Sequence, residues 1–432
     1  MSRTMKDSGV KWIGEIPEGW EVKRLSDIFY SCKRGFTPVY KENTGFRVIN
    51  QSCLSKYKLD IKKSKETEKT EKNRGKFSKG DILLASTGGG VMGKCVLSEI
   101  EGYCDSHVSI LKTKEKNMGK LIFFWMRINF DWLQQFGKGS TNQIEFQHKD
   151  FMKTGFPLPP LPEQEAIASF LDKETAIIDR KVELIDQKIA LLGDKRRALI
   201  FEAVTGRLDV GFGAIGHPGG RMSKDSGVEW IGDIPEGWEI SLLKNHTTIS
   251  VGKTPDTSIN SYFQGSNSWM TISDFEKSET KKQISDEAIV KYNMKKVKTG
   301  SILLSFKLSV GKTMIVQEPI YTNEAIASLY SKNQKNLTNK YVYWFIPFAS
   351  QNEATENIYG AKILNQAKIQ KIKILLPPLP EQEAIASFLD KETALIDREI
   401  ALLERKKELL GDYRKALIFE YVTGKRAVPG FE

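Results

Sequence analysis

The sequence predicts a mixed α/β (α+β) protein built twice over. Each copy is a globular insert held in a near-constant frame that ends in one long helix. Three observations predict this: a tandem repeat, a heptad pattern closing each copy, and a division of charge between inserts and frame.

The repeat is the firmest of the three. Lys6 to Trp20, KDSGVKWIGEIPEGW, matches Lys224 to Trp238, KDSGVEWIGDIPEGW, at 13 of 15 positions. Pro159 to Gly206 matches Pro377 to Gly424 at 36 of 48 positions, and the offset is 218 residues throughout. A single offset of this size is duplication of a domain-sized unit, not a short-period solenoid. Between the matching blocks lie two weakly matching inserts, Glu21 to Pro157 and Glu239 to Leu376. Local echoes such as Gly35-Phe36-Thr37-Pro38 beside Gly252-Lys253-Thr254-Pro255 mark their common ancestry. The resulting division is a frame segment plus first insert (1–158), a helix (159–206), a linker (207–223), a second frame segment plus insert (224–376), a second helix (377–424) and a tail (425–432).

The helices follow from periodicity. Pro162 suits a first helical turn, and Glu163 and Glu165 favour the positive end of the helix dipole. Leu171, Ile178, Ile185, Leu192 and Leu199 recur every seven residues, with Ala168, Thr175, Val182 and Ile189 three positions earlier, forming a heptad seam. Leu389, Ile396, Leu403, Leu410 and Leu417 repeat it in the second copy. Gly206 and Gly424 are the expected stops. Each helix of about 43 residues extends roughly 65 Å and must bury its stripe on a partner. Antiparallel pairing with the other copy is favoured, and packing on the helix's own insert is the alternative. Gly193 and Gly411 interrupt both helices at one place, as a kink or a close crossing does.

Charge divides the same way. The net charge of the chain is +11. The first insert has 25 Lys+Arg against 15 Asp+Glu and the second 18 against 11, while the block from Pro377 has 7 against 10. Polyanion binding therefore belongs to the inserts. Both inserts read as short strands, such as Phe46-Arg47-Val48-Ile49 and Trp269-Met270-Thr271-Ile272. Short helices at Leu121 to Phe136 and Tyr341 to Phe348 accompany them. Polar turns between strands hold side chains able to read base edges and clamp phosphates. In the first insert these candidates are Lys33, Arg34, Arg47, Asn50, Gln51, Ser86, Lys94, Thr141, Asn142 and Gln143. In the second they are Lys253, Thr254, Thr271, Ser273, Asp274, Lys307, Lys312, Lys362 and Asn365.

Catalytic motifs fail on inspection. Gly88 to Cys95 nearly spells a phosphate-binding loop, but Cys95 replaces the magnesium-binding hydroxyl, so a turn after a strand is expected. Asp209-Val210-Gly211-Phe212-Gly213 follows a helix stop and reads as linker. Asp256 with Glu279 and Lys281 fits a nuclease pattern only loosely, and the first copy lacks it. Cys95, Cys104 and His107 lack the paired-cysteine spacing of a zinc site, and no disulfide framework is expected from Cys32, Cys53, Cys95 and Cys104. No catalytic or metal-binding residue is assigned. The sequence contains no apolar run of membrane-spanning length and opens without a signal-peptide core, so a cytoplasmic protein without membrane contact is expected.

These motifs resemble those of type I restriction-modification specificity subunits over essentially the full length. The resemblance rests on W-I-G-x-I-P-E-G-W at Trp12 to Trp20 and Trp230 to Trp238 and on the P-E-Q-E-A-I-A blocks. It also rests on G-x-T-P at Gly35 and Gly252, Trp269-x-Thr271-x-x-Asp274, and G-D-I-L-L at Gly80. It implies two target-recognition domains separated by two long antiparallel conserved helices, each domain reading one half of a gapped double-stranded DNA site. It further implies that the helices dock two adenine methyltransferase subunits, and that endonuclease/translocase subunits complete the complex. S-adenosylmethionine, ATP and magnesium then belong to the partners, with no cofactor in this chain. The first insert departs from the tryptophan-led run at Phe46 to Gln51. Two other classes compete: a self-contained modification enzyme, disfavoured by the missing methyltransferase motifs, and a structural adaptor whose basic inserts bind acidic proteins.

Overall fold

The computed structural model describes residues 3–55, 58–68, 74–88, 90–139, 144–213, 215, 220–277, 279–307, 309–356, 360 and 362–431. The chain forms two compact units, Met1–Asp186 with Glu404–Glu432, and Gln187–Leu403.

Unit 1 is built on a four-stranded antiparallel sheet of β1 (Phe29–Arg34), β2 (Ile82–Ala85), β3 (Cys95–Leu97) and β4 (Val108–Thr113), ordered β3-β2-β4-β1. β2 is buried along its whole length, as its unbroken Ile-Leu-Leu-Ala run requires of a central strand covered on both faces. One face packs against α1 (Lys116–Ile128), and Leu84 and Leu111 join Leu121, Phe124 and Trp125 in the main core. The other face packs Leu83, Val96 and Ile110 on Phe77 and Cys104. The helix expected over Leu121 to Phe136 starts earlier and breaks at Asn129, whose side-chain amide donates to the Trp125 carbonyl at 2.9 Å. A second long element, α2 (Leu161–Val204), begins in this unit.

Unit 2 repeats the plan with β5 (Thr247–Val251), β6 (Ile302–Ser305), β7 (Thr313–Ile315) and β8 (Ile326–Ser331), ordered β5-β8-β6-β7. Its covering helix is α3 (Asn339–Glu353), and α4 (Leu379–Val422) follows. The insert boundaries are closed by backbone pairing. Glu21–Arg24 pairs antiparallel with Gly155–Leu158, and Glu239–Leu242 pairs with Lys373–Leu376. The frame therefore grips each insert at both of its ends.

The long helices have 44 residues each, in line with their heptads. Within unit 1, Phe170 stacks near Tyr421 at 4.4 Å, Asp179 pairs with Arg414, and Asp186 pairs with Lys407 at 2.6 Å. One number rises as the other falls, so the segments run antiparallel. Within unit 2, Arg196 binds Asp397 at 2.9 Å and Lys188 binds Glu399 at 2.7 Å. The Arg–Asp pairs are the same contact with the two copies exchanged. Leu171, Ile178, Ile185, Leu389, Ile396 and Leu417 are buried as the seam predicts, while Leu192, Leu199, Leu403 and Leu410 are half-buried. Each helix also packs on an insert: Ile167, Ala168 and Leu171 share a core with Trp20 and Phe151. Both expected packing modes are thus realised.

The glycine pairs divide. Gly206 and Gly424 end the helices with φ of 75° and 72°, and a Cβ at either would strike Pro235 or Pro17. Gly193 and Gly411 correct the expectation of a kink or close crossing. The helices are unbroken through both, and a Cβ at either meets nothing within 4 Å.

Candidate nucleic-acid interface

The frame motifs build a scaffold rather than a site. Trp20 donates its indole N–H to the buried Glu163 carboxylate at 2.8 Å, and Arg3 pairs with the same carboxylate. Trp238 and Arg221 do the same for Glu381, at 3.0 and 2.6 Å. Gln164 and Gln382 donate to the carbonyls of Pro159 and Pro377, fixing the helix starts. The G-x-T-P echo has an equally structural cause. A Cβ on Gly35 would overlap the carbonyl oxygens of Cys104 and Asp105, and one on Gly252 those of Thr322 and Asn323. Only glycine lets the chain leave the edge strand so close to the neighbouring turn.

That close approach gathers side chains at one end of each sheet. In unit 1, Arg34 donates to the Ser106 carbonyl at 2.6 Å and to Glu145 at 3.3 Å. Thr87 bonds His107 Nδ1 at 2.7 Å and Gln51 at 3.3 Å. Arg34, Gln51, Thr87, His107 and Glu145 thus converge, with both donors and acceptors presented. Beneath them Ser86, Ser109 and His148 form a chain, buried at the two serines and half-buried at the imidazole, with Ser109 Oγ to His148 Nε2 at 2.6 Å. Burial, with the Arg34 charge nearby, lowers the His148 pKa and favours the neutral ring. Asp105, bonded by Tyr40 and by the His107 N–H, is pushed up by burial.

In unit 2 the corresponding turn holds Thr271, Ser273, Asp274 and Lys282. Asp274 accepts from the Thr271 N–H and hydroxyl at 2.9 Å, and Lys282 bonds Ser273 at 2.9 Å and Asp274 at 3.1 Å. Burial raises the Asp274 pKa, but the Thr271 and Lys282 hydrogen bonds outweigh it and hold the carboxyl below its ordinary value. Lys253 reaches the Tyr292 carbonyl at 2.7 Å, and Thr254 bonds Glu324. Lys307, Lys312 and Lys362 are exposed. Lys312 lines a cleft of about 460 Å³ with Arg196, Tyr343 and Trp344.

Several sequence candidates have internal duties. Ser86 is 1% exposed and bonded within the sheet layer, so it reaches no surface ligand. Asn50 is buried and caps the turn Gln51–Cys53 through the Ser52 N–H at 2.9 Å. Asn365 caps the helix Gln366–Lys371. Asp274 is likewise buried as a turn anchor, which leaves Thr271, Ser273 and Lys282 as the outward groups of that cluster. Arg47 is exposed beside Glu66 at 3.3 Å, and Lys94 is half-buried in the turn from β2 to β3. That turn, Gly88 to Cys95, takes the place of the near-miss phosphate loop; its Gly89 is outside the described residues. Thr141, Asn142 and Gln143 also lie outside the described residues. Cys95 and Cys104 are buried free thiols, Cys95 pushed up to about 12 by burial. Among the described residues no group of His, Cys, Asp and Glu could hold a metal.

Sequence reasoning missed Thr87, His107 and Glu145, which contribute to the unit 1 cluster from separate chain segments. It also missed a second leucine stripe. Ile177, Leu184 and Leu191 on α2, and Leu395, Leu402 and Leu409 on α4, are exposed, from 40% at Ile177 to 68% at Leu191. Their seven-residue spacing was legible as a second heptad phase.

Comparison with known proteins agrees with this geometry. The family described as type I restriction modification DNA specificity domain matches twice, at residues 17–192 and 235–410. The chain belongs to the type I restriction-modification DNA specificity family. A Methanocaldococcus jannaschii protein whose name assigns it as the MjaX type I restriction enzyme specificity subunit is 26% identical over 434 residues, covering 96% of this chain and 95% of that one. The type I restriction enzyme MjaVIII specificity subunit of the same organism is 25% identical, covering 95% and 93%. A solved chain from work on complex assembly and conformational transition of the type I R-M system superposes with a TM-score of 0.67 at 18% identity. It covers 95% of this chain and 99% of that one, a likeness of fold. Among the described residues no helix is long and apolar enough to cross a membrane.

Proposed function

We propose that this chain is the non-catalytic, sequence-reading subunit of a type I restriction-modification complex, each insert reading one half of an asymmetric, gapped double-stranded DNA site. One observation carries the reading: the two units share a scaffold but differ in chemistry at matching positions. By strand register, Ser86, Thr87, His107 and Glu145 of unit 1 correspond to Phe306, Lys307, Ala325 and Ile363 of unit 2. Base edges are distinguished by donor and acceptor pattern, so unlike side chains on a common frame call for unlike half-sites.

The helices dock two adenine methyltransferase subunits and set the gap, with endonuclease/translocase subunits completing the assembly in the cytoplasm. The exposed Ile177/Leu184/Leu191 and Leu395/Leu402/Leu409 stripes support docking, because apolar rows at heptad spacing favour partner helices. S-adenosylmethionine, ATP and magnesium are assigned to those partners. Mapping methylated adenine genome-wide, in cells with the methyltransferase partner and with or without this chain, tests the reading. Two unlike motifs at one fixed gap, present only with the chain, are expected. Methylation independent of the chain overturns it in favour of an adaptor.

A further inference from the structure

A groove of about 850 Å³ lies at the open edge of the unit 1 sheet, beside the small core of Phe77 and Cys104. Its floor is the face of β1 and β4 on which Lys33 stands opposite Ile110, and Ser31 opposite Lys112. The segment from Arg74 to Ser78 forms its wall. Five cations meet there: Lys33, Arg34, Arg74, Lys76 and Lys112. Arg34 and Lys112 are held by Glu145 and Asp81, at 3.3 and 3.1 Å. Lys33, Arg74 and Lys76 are exposed and have no acidic partner among the described residues.

Unit 2 carries less of this charge at the same place. By strand register, the counterparts of Lys33, Arg34 and Lys112 are Ser250, Val251 and Tyr330. The pairing of Val297 with Ile320, matched to that of Phe77 with Gly102, makes Met294 the counterpart of Arg74 and Lys296 that of Lys76. Lys296 lies over the Tyr321 ring, and Lys298 lies 3.4 Å from the Tyr330 ring centre.

We propose that the unit 1 groove seats a DNA phosphate backbone, and that the first recognition domain supplies a larger share of sequence-independent affinity there than the second does at the matching position. The proposal rests on the DNA reading above. Arg34 links the two regions, since it lines the groove and belongs to the Gln51–Thr87–His107 cluster. A strand seated in the groove therefore runs on to side chains able to meet base edges. Unpaired lysines and arginines suit regularly spaced phosphates, which they bind by point charge and fork.

The test measures binding of the full-length chain to a duplex carrying its mapped site and to a scrambled duplex, from 50 to 200 mM salt. Each phosphate contact steepens the fall in affinity over that range by about 3.5-fold. The variant Lys33→Ala/Arg74→Ala/Lys76→Ala is expected to flatten the salt dependence by roughly two to three contacts on both duplexes alike. Lys296→Ala is expected to change it by less than about one contact. A triple variant that melts like the parent and keeps the parent's salt slope overturns the groove as a DNA seat and points to an acidic protein surface. A loss confined to the specific duplex also overturns it, because phosphates carry no sequence. A parent chain that binds neither duplex overturns the DNA reading itself. Failure of the variant alone overturns only the groove.

Discussion

The indole of Trp20 and the carboxylate of Glu163 stand 143 positions apart in sequence and 2.8 Å apart in space. Trp238 and Glu381 reproduce the relationship at the same separation. In each unit this bond ties the start of a long helix to the frame segment that precedes the insert. Removing one partner of a buried, charged hydrogen-bonded group leaves the other uncompensated, at a cost of about 3–5 kcal/mol. Glu381→Ala is expected to destabilise the full chain by that order, read as a lowered denaturant midpoint. Trp238→Phe, which keeps the ring packing and removes one donor, should cost about 1–3 kcal/mol. Equal midpoints for parent and Glu381→Ala would show that the bond does not hold the frame.

The open surroundings of Gly193 and Gly411 make a second prediction. Alanine at either position meets no neighbour and improves helix propensity by about 1 kcal/mol. Gly193→Ala and Gly411→Ala are therefore expected to raise the unfolding midpoint, with near-additive effects for such separated sites. A destabilised double variant would mean that the glycines serve a partner or a bend.

The outward leucine stripes should separate folding from assembly. Leu184→Glu and Leu402→Glu replace exposed side chains, so stability should stay within about 0.5 kcal/mol of the parent. Co-purification with the methyltransferase subunit is expected to fail. Retained association, measured by size-exclusion chromatography of the co-expressed proteins, would remove the stripe from the docking surface.

His148 gives a pH prediction. Its folded pKa lies below the ordinary 6.5, so the unfolded chain takes up the proton more readily. The resulting stability is present above that ordinary value and is lost as pH falls through it towards the folded pKa. Thermal midpoints measured from pH 7.5 to 5.5 should therefore fall more steeply for the parent than for His148→Gln. Parallel curves would show that the Ser86–Ser109–His148 chain does not resist protonation.

Much of the architecture was legible because it is written in local or repeated signals. The 218-residue offset gave the duplication, and the Leu171-to-Leu199 heptad gave a helix pair that the Asp179–Arg414 and Arg196–Asp397 contacts bear out. The site was less legible for a physical reason. Asn50, Asp274 and Asn365 are polar residues in turns whether they cap a backbone N–H or face a ligand, and here their side chains cap. Thr87, His107 and Glu145 come from three separate chain segments, and so do Lys33, Arg74, Lys76 and Lys112. Only the strand pairings bring either set together. Gly193 misled because a glycine in a helix reads alike in sequence whether something packs on it or nothing does.

The central claim is that each insert independently specifies one half of the DNA site while the paired helices keep the gap. The most direct measurement is a genome-wide map of methylated adenine in cells expressing this chain beside a version whose residues 21–157 come from a relative. One half-motif is expected to change while the other half and the gap stay fixed. A map in which both halves change, or in which the gap shifts with the exchanged insert, would contradict the account.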